Sequence, residues 1–166
     1  MIKLIIGIGN PGPEYAETYH NAGKMFAEWA ALKVGGEAEW KSLKLFSCFK
    51  ADAKPLICRS DVFMNGSGTA VKAATKKFGL KPKEIAVVQD ESDIEFGKYK
   101  LSFGSRSAGH KGIESVIAAL RTQDFWRIRI GIRKKKGKAM DFVLRKMSRA
   151  DKAELEKVFE AAFSRI

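Results

Sequence analysis

The six residues 3–8, Lys-Leu-Ile-Ile-Gly-Ile, constrain the chain more than any other stretch. They are apolar and β-branched at successive positions, so a strand made from them has no face to offer water. Glycine ends the run, and the segment reads as a buried strand. Residues 22–33 follow helical spacing, with Met25, Phe26, Trp29 and Leu32 on one face and Gly35-Gly36 as the stop. Strands are predicted over 44–51 and 55–60, meeting near Asp52, and a helix over 67–78 that Gly79 terminates. Residues 85–88 form a short apolar strand that ends in Gln89-Asp90-Glu91. Residues 99–103 alternate as a strand, 112–121 are helical and 127–132 are again a strand. Ser148 caps a last helix, with Asp151 placed to favour its dipole and Leu155, Val158, Phe159 and Ala162 inside. Strands alternate with helices, which predicts an α/β protein: a largely parallel sheet covered by helices. At 166 residues the chain fits a single domain, 1–166.

Charge narrows the partners. Lysine and arginine total 31 against 19 acids, a net +12, and on so small a body this points to a polyanion, nucleic acid first. Residues 127–138 hold seven cations and no acid, beside Lys98, Lys100, Arg106 and Lys111. A site for phosphates is a better reading of that run than a solvated face. The aromatics nearby, Phe103, Phe125 and Trp126, fit core packing better than base stacking. No apolar run approaches the ~20 residues of a bilayer span, and residues 1–10 lack the pattern of a signal peptide. Cys48 and Cys58 suit a reduced cytoplasmic protein; a disulfide is possible only if they lie on neighbouring strands.

Chemistry-bearing residues gather at the predicted strand ends. The loop Gly7-Ile8-Gly9-Asn10-Pro11-Gly12 follows a strand, but it does not turn directly into a helix as a dinucleotide fingerprint does. Its notable member is Asn10, an amide at the carboxyl end of the first strand. His20 sits at a helix start near the same edge and has the chemistry of a general base. Asp90, after the strand at 85–88, is placed to hold an imidazole in one tautomer; Asp93 lies close by, and a turn-opening role is the bland alternative for both. Asn65 is either a helix cap or a functional amide. No Gly-x-Ser-x-Gly elbow, cysteine–histidine pair or metal-ligand spacing appears. Hydrolysis by an activated water, without metal, cofactor or covalent intermediate, stays open.

Taken together, the motifs carry a resemblance. Gly7 to Tyr15, then Thr18 and His20-Asn21-Ala22-Gly23, resemble the opening signature of bacterial-type peptidyl-tRNA hydrolases. The likeness continues through Phe63-Met64-Asn65-Gly66-Ser67-Gly68, Asp90-Glu91-Ser92-Asp93, Gly109-His110-Lys111-Gly112 and Arg127-Ile128-Arg129-Ile130-Gly131-Ile132, in family order over residues 1–150. The resemblance implies a twisted mixed sheet between helices. It implies hydrolysis of the ester between peptide and tRNA by a cytoplasmic monomer with no cofactor, metal or membrane partner. His20 then matches the base and Asp90 its orienting acid. Asn10 and Asn65 match substrate-placing amides, and Tyr15, Phe63 and Met64 match the channel lining. Arg129 matches one cation of a clamp on tRNA phosphate. The clamp's lysine aligns with Ser102, and Lys100 on the same strand face stands in; Arg133, Lys134, Lys135 and Lys136 extend the basic run.

There are departures. Tyr19 replaces the family's arginine, Gln89 its histidine and Lys111 a functional asparagine, and the last helical segment is shortened. A lysine donates but cannot accept a hydrogen bond. Lys111 also stands just before a predicted helix, where a cation is unfavourable unless an anion compensates; this suggests a place for a substrate anion. Two other readings remain: a non-hydrolytic, RNA-binding relative of the same fold, and a nucleotide-binding enzyme using the first glycine loop.

Overall fold

Seven strands and four helices follow one another in a computed structural model describing residues 1–37, 39–49, 52–134 and 142–166. They are β1 (Leu4–Gly7), α1 (Ala22–Gly35), β2 (Trp40–Ser42), β3 (Phe46–Phe49), β4 (Leu56–Ser60), α2 (Ser67–Lys77), β5 (Ile85–Glu95), β6 (Tyr99–Phe103), α3 (Lys111–Leu120), β7 (Trp126–Arg133) and α4 (Arg149–Phe163). Lys135 and Lys136 lie outside the described residues. The strands form one sheet in the order β2-β3-β4-β1-β5-β7-β6. Its centre, β4-β1-β5-β7, is parallel, while β2, β3 and β6 run antiparallel to their neighbours. The sheet is therefore mixed and largely parallel, as expected.

Alternation of side chains along each strand supplies two cores, one per face. Leu4, Ile6 and Ile8 pack with Ala70, Val71, Ile113 and Val116 of α2 and α3. Ile5, Val88, Ile128, Ile130 and Ile132 pack with Phe26, Leu155 and Phe159 of α1 and α4. Phe26, fully buried, meets Phe159 edge-on at 5.4 Å between ring centres; truncating it to alanine would cost about 3–5 kcal/mol. Ser148 caps α4 as predicted, its Oγ accepting the Asp151 N–H at 3.1 Å. Gly7 and Gly23 let α1 press against the sheet, since a Cβ on either would strike backbone carbonyl oxygen. That close approach sets the start of α1, and with it His20, directly over the ends of β1 and β5.

Three features differ from the sequence reading. β2 is an additional strand, too short at three residues to show a period. β5 continues to Glu95 instead of ending at Gln89, because β7 runs beside it and pairs Gln89 with Arg129, Asp90 with Ile130 and Glu91 with Gly131. Asp90 is thus held by a ladder rather than by a turn. Cys48 and Cys58 face each other in register across the neighbouring strands β3 and β4, the one arrangement that allows a disulfide, and are joined as one although their number suited a reduced protein.

Candidate active site

The carboxyl ends of β1, β4 and β5 converge at the place where the chain order switches sides of the sheet, the usual site for ligands in such folds. Asp90 is the centre of it. Its side chain is 4% exposed, and each oxygen takes a different imidazole: Oδ2 lies 2.7 Å from His20 Nδ1 and Oδ1 lies 2.7 Å from His110 Nε2. Burial alone would push the Asp90 carboxyl up; the charges and hydrogen bonds of His110 and His20 reverse this and hold it at about 2. It is an anion at neutral pH.

Those contacts fix both tautomers. His110 is the N-cap of α3, and its Nδ1 accepts the Ile113 N–H at 3.2 Å, so its proton is on Nε2 and is donated to Asp90. His20 donates its Nδ1–H to the same carboxylate. Its Nε2 is left with a free lone pair, the form a general base requires. Burial opposes a charged His20, but the Asp90 bond and charge outweigh it, so the pKa is raised above its ordinary value.

His20 is anchored from both sides in the sequence. Its backbone N–H donates to Val143 O at 2.7 Å. The preceding Tyr19 is buried, and its hydroxyl donates to Asp151, the residue that also receives Lys134. Burial and that carboxylate push the Tyr19 hydroxyl up to about 12, so it stays a donor.

The amides are equally constrained. Asn10 exchanges hydrogen bonds with Asn21: its backbone N–H donates to Asn21 Oδ1, and Asn21 Nδ2 donates to its carbonyl, both at 2.8 Å. Asn10 Oδ1 accepts the Met64 N–H at 2.8 Å, which leaves the Nδ2 donors of Asn10 for a ligand. Asn65 is exposed and is not a cap, since Gly66 occupies the N-cap position of α2. It lines a hollow of about 230 Å³ with His20, Asp90, His110 and Lys111. An adjoining hollow of about 280 Å³ is walled by Asn10, Phe63, Met64, Val143 and Leu144. Phe63, 59% exposed, is met edge-on by Tyr15 at 6.1 Å. Asn10, Phe63, Met64, Asn65 and Lys111 thus line hollows shared with His20, and Tyr15 joins them through Phe63.

Lys111 differs in its electrostatics from the sequence reading. Its Nζ reaches Glu114 at 3.2 Å, so the anion that compensates a cation at this helix start comes from the helix itself.

The basic run divides. Lys100 and Arg129 are register partners across β6 and β7 and project from one face. Arg129 is steadied by Glu91, which accepts its Nε–H at 3.0 Å, and Arg133 is exposed, with Nη1 donating to Asp93 O. Lys134, read from the sequence as phosphate-binding, has its ammonium on Asp151 at 2.6 and 2.7 Å, which ties the end of β7 to α4. Arg127 is turned wholly inward, donating to Gln89 Oε1 at 2.7 Å and to the carbonyls of Arg106 and Ser105. It pins the loop that leads to His110.

His110 received no role from the sequence; the signal available was a histidine directly before a helix. His20, Asp90 and His110 also form the one cluster among the described residues with the composition of a metal site, their ligand atoms within 4.8 Å. Both Asp90 oxygens already hold ring N–H groups, so an ion there would have to displace two hydrogen bonds.

Comparison with known proteins identifies the family and the fold. A family model described as peptidyl-tRNA hydrolase matches residues 4–166. A peptidyl-tRNA hydrolase from Sulfurihydrogenibium sp. (strain YO3AOP1) is 37% identical over 165 residues, covering 98% of this chain and 87% of that one. One from Persephonella marina is 38% identical, covering 95% of this chain and 85% of the relative. The crystal structure of peptidyl-tRNA hydrolase from Acinetobacter baumannii superposes with a TM-score of 0.87 at 29% identity, covering 98% of this chain and 85% of that one. With the family matched across nearly its whole length and the sheet, helices and cleft all in place, the chain belongs to the peptidyl-tRNA hydrolase family.

Proposed function

We propose that the chain hydrolyses the ester joining a nascent peptide to the 3′ end of tRNA, recycling stalled peptidyl-tRNA, with a water activated by His20. One observation carries the mechanism: His20 is bound through Nδ1 to an ionised Asp90, which leaves Nε2 as a base at the mouth of the cleft. In this reading Nε2 takes a proton from water as the oxygen attacks the ester carbonyl. The tetrahedral intermediate then expels the ribose oxygen, which recovers that proton from Nε2–H. The products are a peptide carboxylic acid, which loses its remaining proton to solvent, and a free ribose hydroxyl.

Negative charge grows on the carbonyl oxygen during attack and needs donors aimed at it. The Nδ2 of Asn10 is available, since its Oδ1 is occupied by Met64, and Asn65 and Lys111 supply further N–H groups on the same hollow. Tyr15, Phe63 and Met64 give the peptide an apolar, shape-tolerant wall, which suits an enzyme that must accept any nascent chain. Lys100, Arg129 and Arg133 take tRNA phosphate. We read the enzyme as a cytoplasmic monomer, in keeping with a substrate made by translation; no helix of the described residues is long and apolar enough to cross a membrane.

Purified protein incubated with an N-blocked aminoacyl-tRNA should release the acyl group at a rate well above the spontaneous one. Tight tRNA binding without release would favour a non-hydrolytic RNA-binding relative instead.

A further inference from the structure

Asn10 has a second open side. Beyond it, between the loop after β1, the first turns of α1 and the end of β4, lies a cavity of about 340 Å³ with Lys24, Glu28, Arg59 and Asp61 on its walls. The size is within the range of small-ligand sites. None of these four side chains has a part in the hydrolysis described above.

Their hydrogen bonds leave an imbalance. Glu28 is satisfied by Arg59, whose Nη1 donates to it at 2.7 Å. Asp61 accepts the Ser47 hydroxyl. The Arg59 guanidinium lies over Trp40, 4.4 Å from the ring centre, and its buried Nε has no hydrogen-bond partner among the described residues. Lys24 is only partly exposed, its stem lies against Gly9, and its ammonium has no hydrogen-bond partner among the described residues. Burial, with Arg59 nearby, lowers its pKa despite the opposing charges of Asp61 and Glu28. Each acid accepts one of these bonds at a single oxygen, whereas Lys24 and Arg59 keep N–H groups that no acceptor of the described residues reaches. What the cavity lacks is an acceptor within reach of the free N–H groups of Lys24 and Arg59, and a carboxylate is the acceptor that suits two cations.

Sheet order says where such a group would come from. The cations Lys100 and Arg129 stand on β6 and β7, Asp90 on β5, and this cavity beside β1 and β4, so the three lie in sequence across the sheet. A substrate with tRNA phosphate on the first and its ester at the second brings its peptide to the third. We propose that this cavity is a peptide subsite for a carboxylate side chain, and that Lys24 and Arg59 make the chain favour peptidyl-tRNAs carrying Glu or Asp close to the ester. The proposal rests on the hydrolase reading above and adds a selectivity to it.

The test has two arms. In the first, N-acetylated dipeptidyl- and tripeptidyl-tRNAs that differ only by Glu or Gln one or two residues before the esterified one are cleaved by the full chain. The Glu member should show a kcat/KM about three- to tenfold higher in one of the two registers, the range for a partly exposed charge-assisted contact. Lys24→Gln should bring that ratio close to one, and Arg59→Lys should reduce it. Equal cleavage of both members in both registers would overturn the proposal. The second arm needs no hydrolysis: free N-acetyl-Glu-Ala amide, N-acetyl-Gln-Ala amide and inorganic phosphate are titrated separately while the Lys24 ε-methylene resonance is followed by NMR. A saturable shift with the Glu peptide alone supports the subsite, even if no ester is cleaved and the hydrolase reading has failed. A response to phosphate without one to the Glu peptide would assign the cavity to the nucleic acid and overturn the peptide reading.

Discussion

Replacing His110 with alanine removes two interactions at once: the second hydrogen bond to Asp90 and the cap of α3. Asp90 is almost wholly buried, so its Oδ1 would be left without a donor, at a cost of about 1–3 kcal/mol. Loss of the cap adds about 1 kcal/mol. The sum, roughly 2–4 kcal/mol, should lower the Tm by about 5–12 °C in a chain of this size. Activity should respond in a direction that stability alone does not dictate. With His110 gone, the Asp90 charge bears on His20 only, so the imidazolium is stabilised further and the pKa of His20, already raised, rises again. The base is the neutral form, so the acid limb of kcat/KM against pH should move to higher pH. His110→Asn retains a capping oxygen and should regain about 1 kcal/mol, while leaving the limb displaced. The measurements are thermal unfolding and pH–rate profiles of the three proteins on one peptidyl-tRNA. A limb that stays in place, or moves to lower pH, would refute the shared-carboxylate reasoning.

Asp90→Asn should slow hydrolysis less than removing the base does, because it disturbs tautomer and orientation only; a kcat equal to wild type would dismiss the pair. Because Asp90 is held at about 2 in the folded chain, below its ordinary value, its share of stability is present above pH ~4 and is lost as pH falls toward ~2. That share, on the order of 2 kcal/mol, should be missing from the acid unfolding curve of Asp90→Asn. Neutralising Lys100 and Arg129 together should weaken tRNA binding and reduce the log–log salt slope by about one per lost phosphate contact; an unchanged slope places the tRNA elsewhere. Glu114→Gln frees the Lys111 ammonium, so if that group serves the substrate, kcat/KM should rise in Glu114→Gln and fall in Lys111→Ala. Equal values in both would make Lys111 a solvated bystander.

The parts of the fold that were legible are those where local pattern and burial coincide. Residues 3–8 and 85–88 are apolar at nearly every position because helices cover both faces there, and Ser148 announces the start of α4 by its own side chain. The continuation of β5 was illegible because Gln89, Asp90 and Glu91 carry no strand propensity; their extended form comes from the β7 ladder, a partner some forty residues away in sequence. Arg127 misled for a related reason. In the alternation of residues 127–132 it reads as a polar residue facing water, yet the loop at Ser105 and Arg106 closes over it and offers carbonyl acceptors. The cluster of Asn10, His20 and Asp90 could be drawn from sequence since each sits beside a strand end or helix start. The second imidazole could not, because only the folded loop brings His110 to the other oxygen of Asp90.

The most direct measurement is single-turnover cleavage of one peptidyl-tRNA by wild type and His20→Ala, with tRNA affinity determined in parallel. If Nε2 of His20 takes the proton from the attacking water, the variant should cleave about 10²- to 10⁴-fold more slowly and bind tRNA with nearly the same Kd. Cleavage by His20→Ala at more than about a tenth of the wild-type rate, with binding intact, would contradict the assignment of His20 as the base.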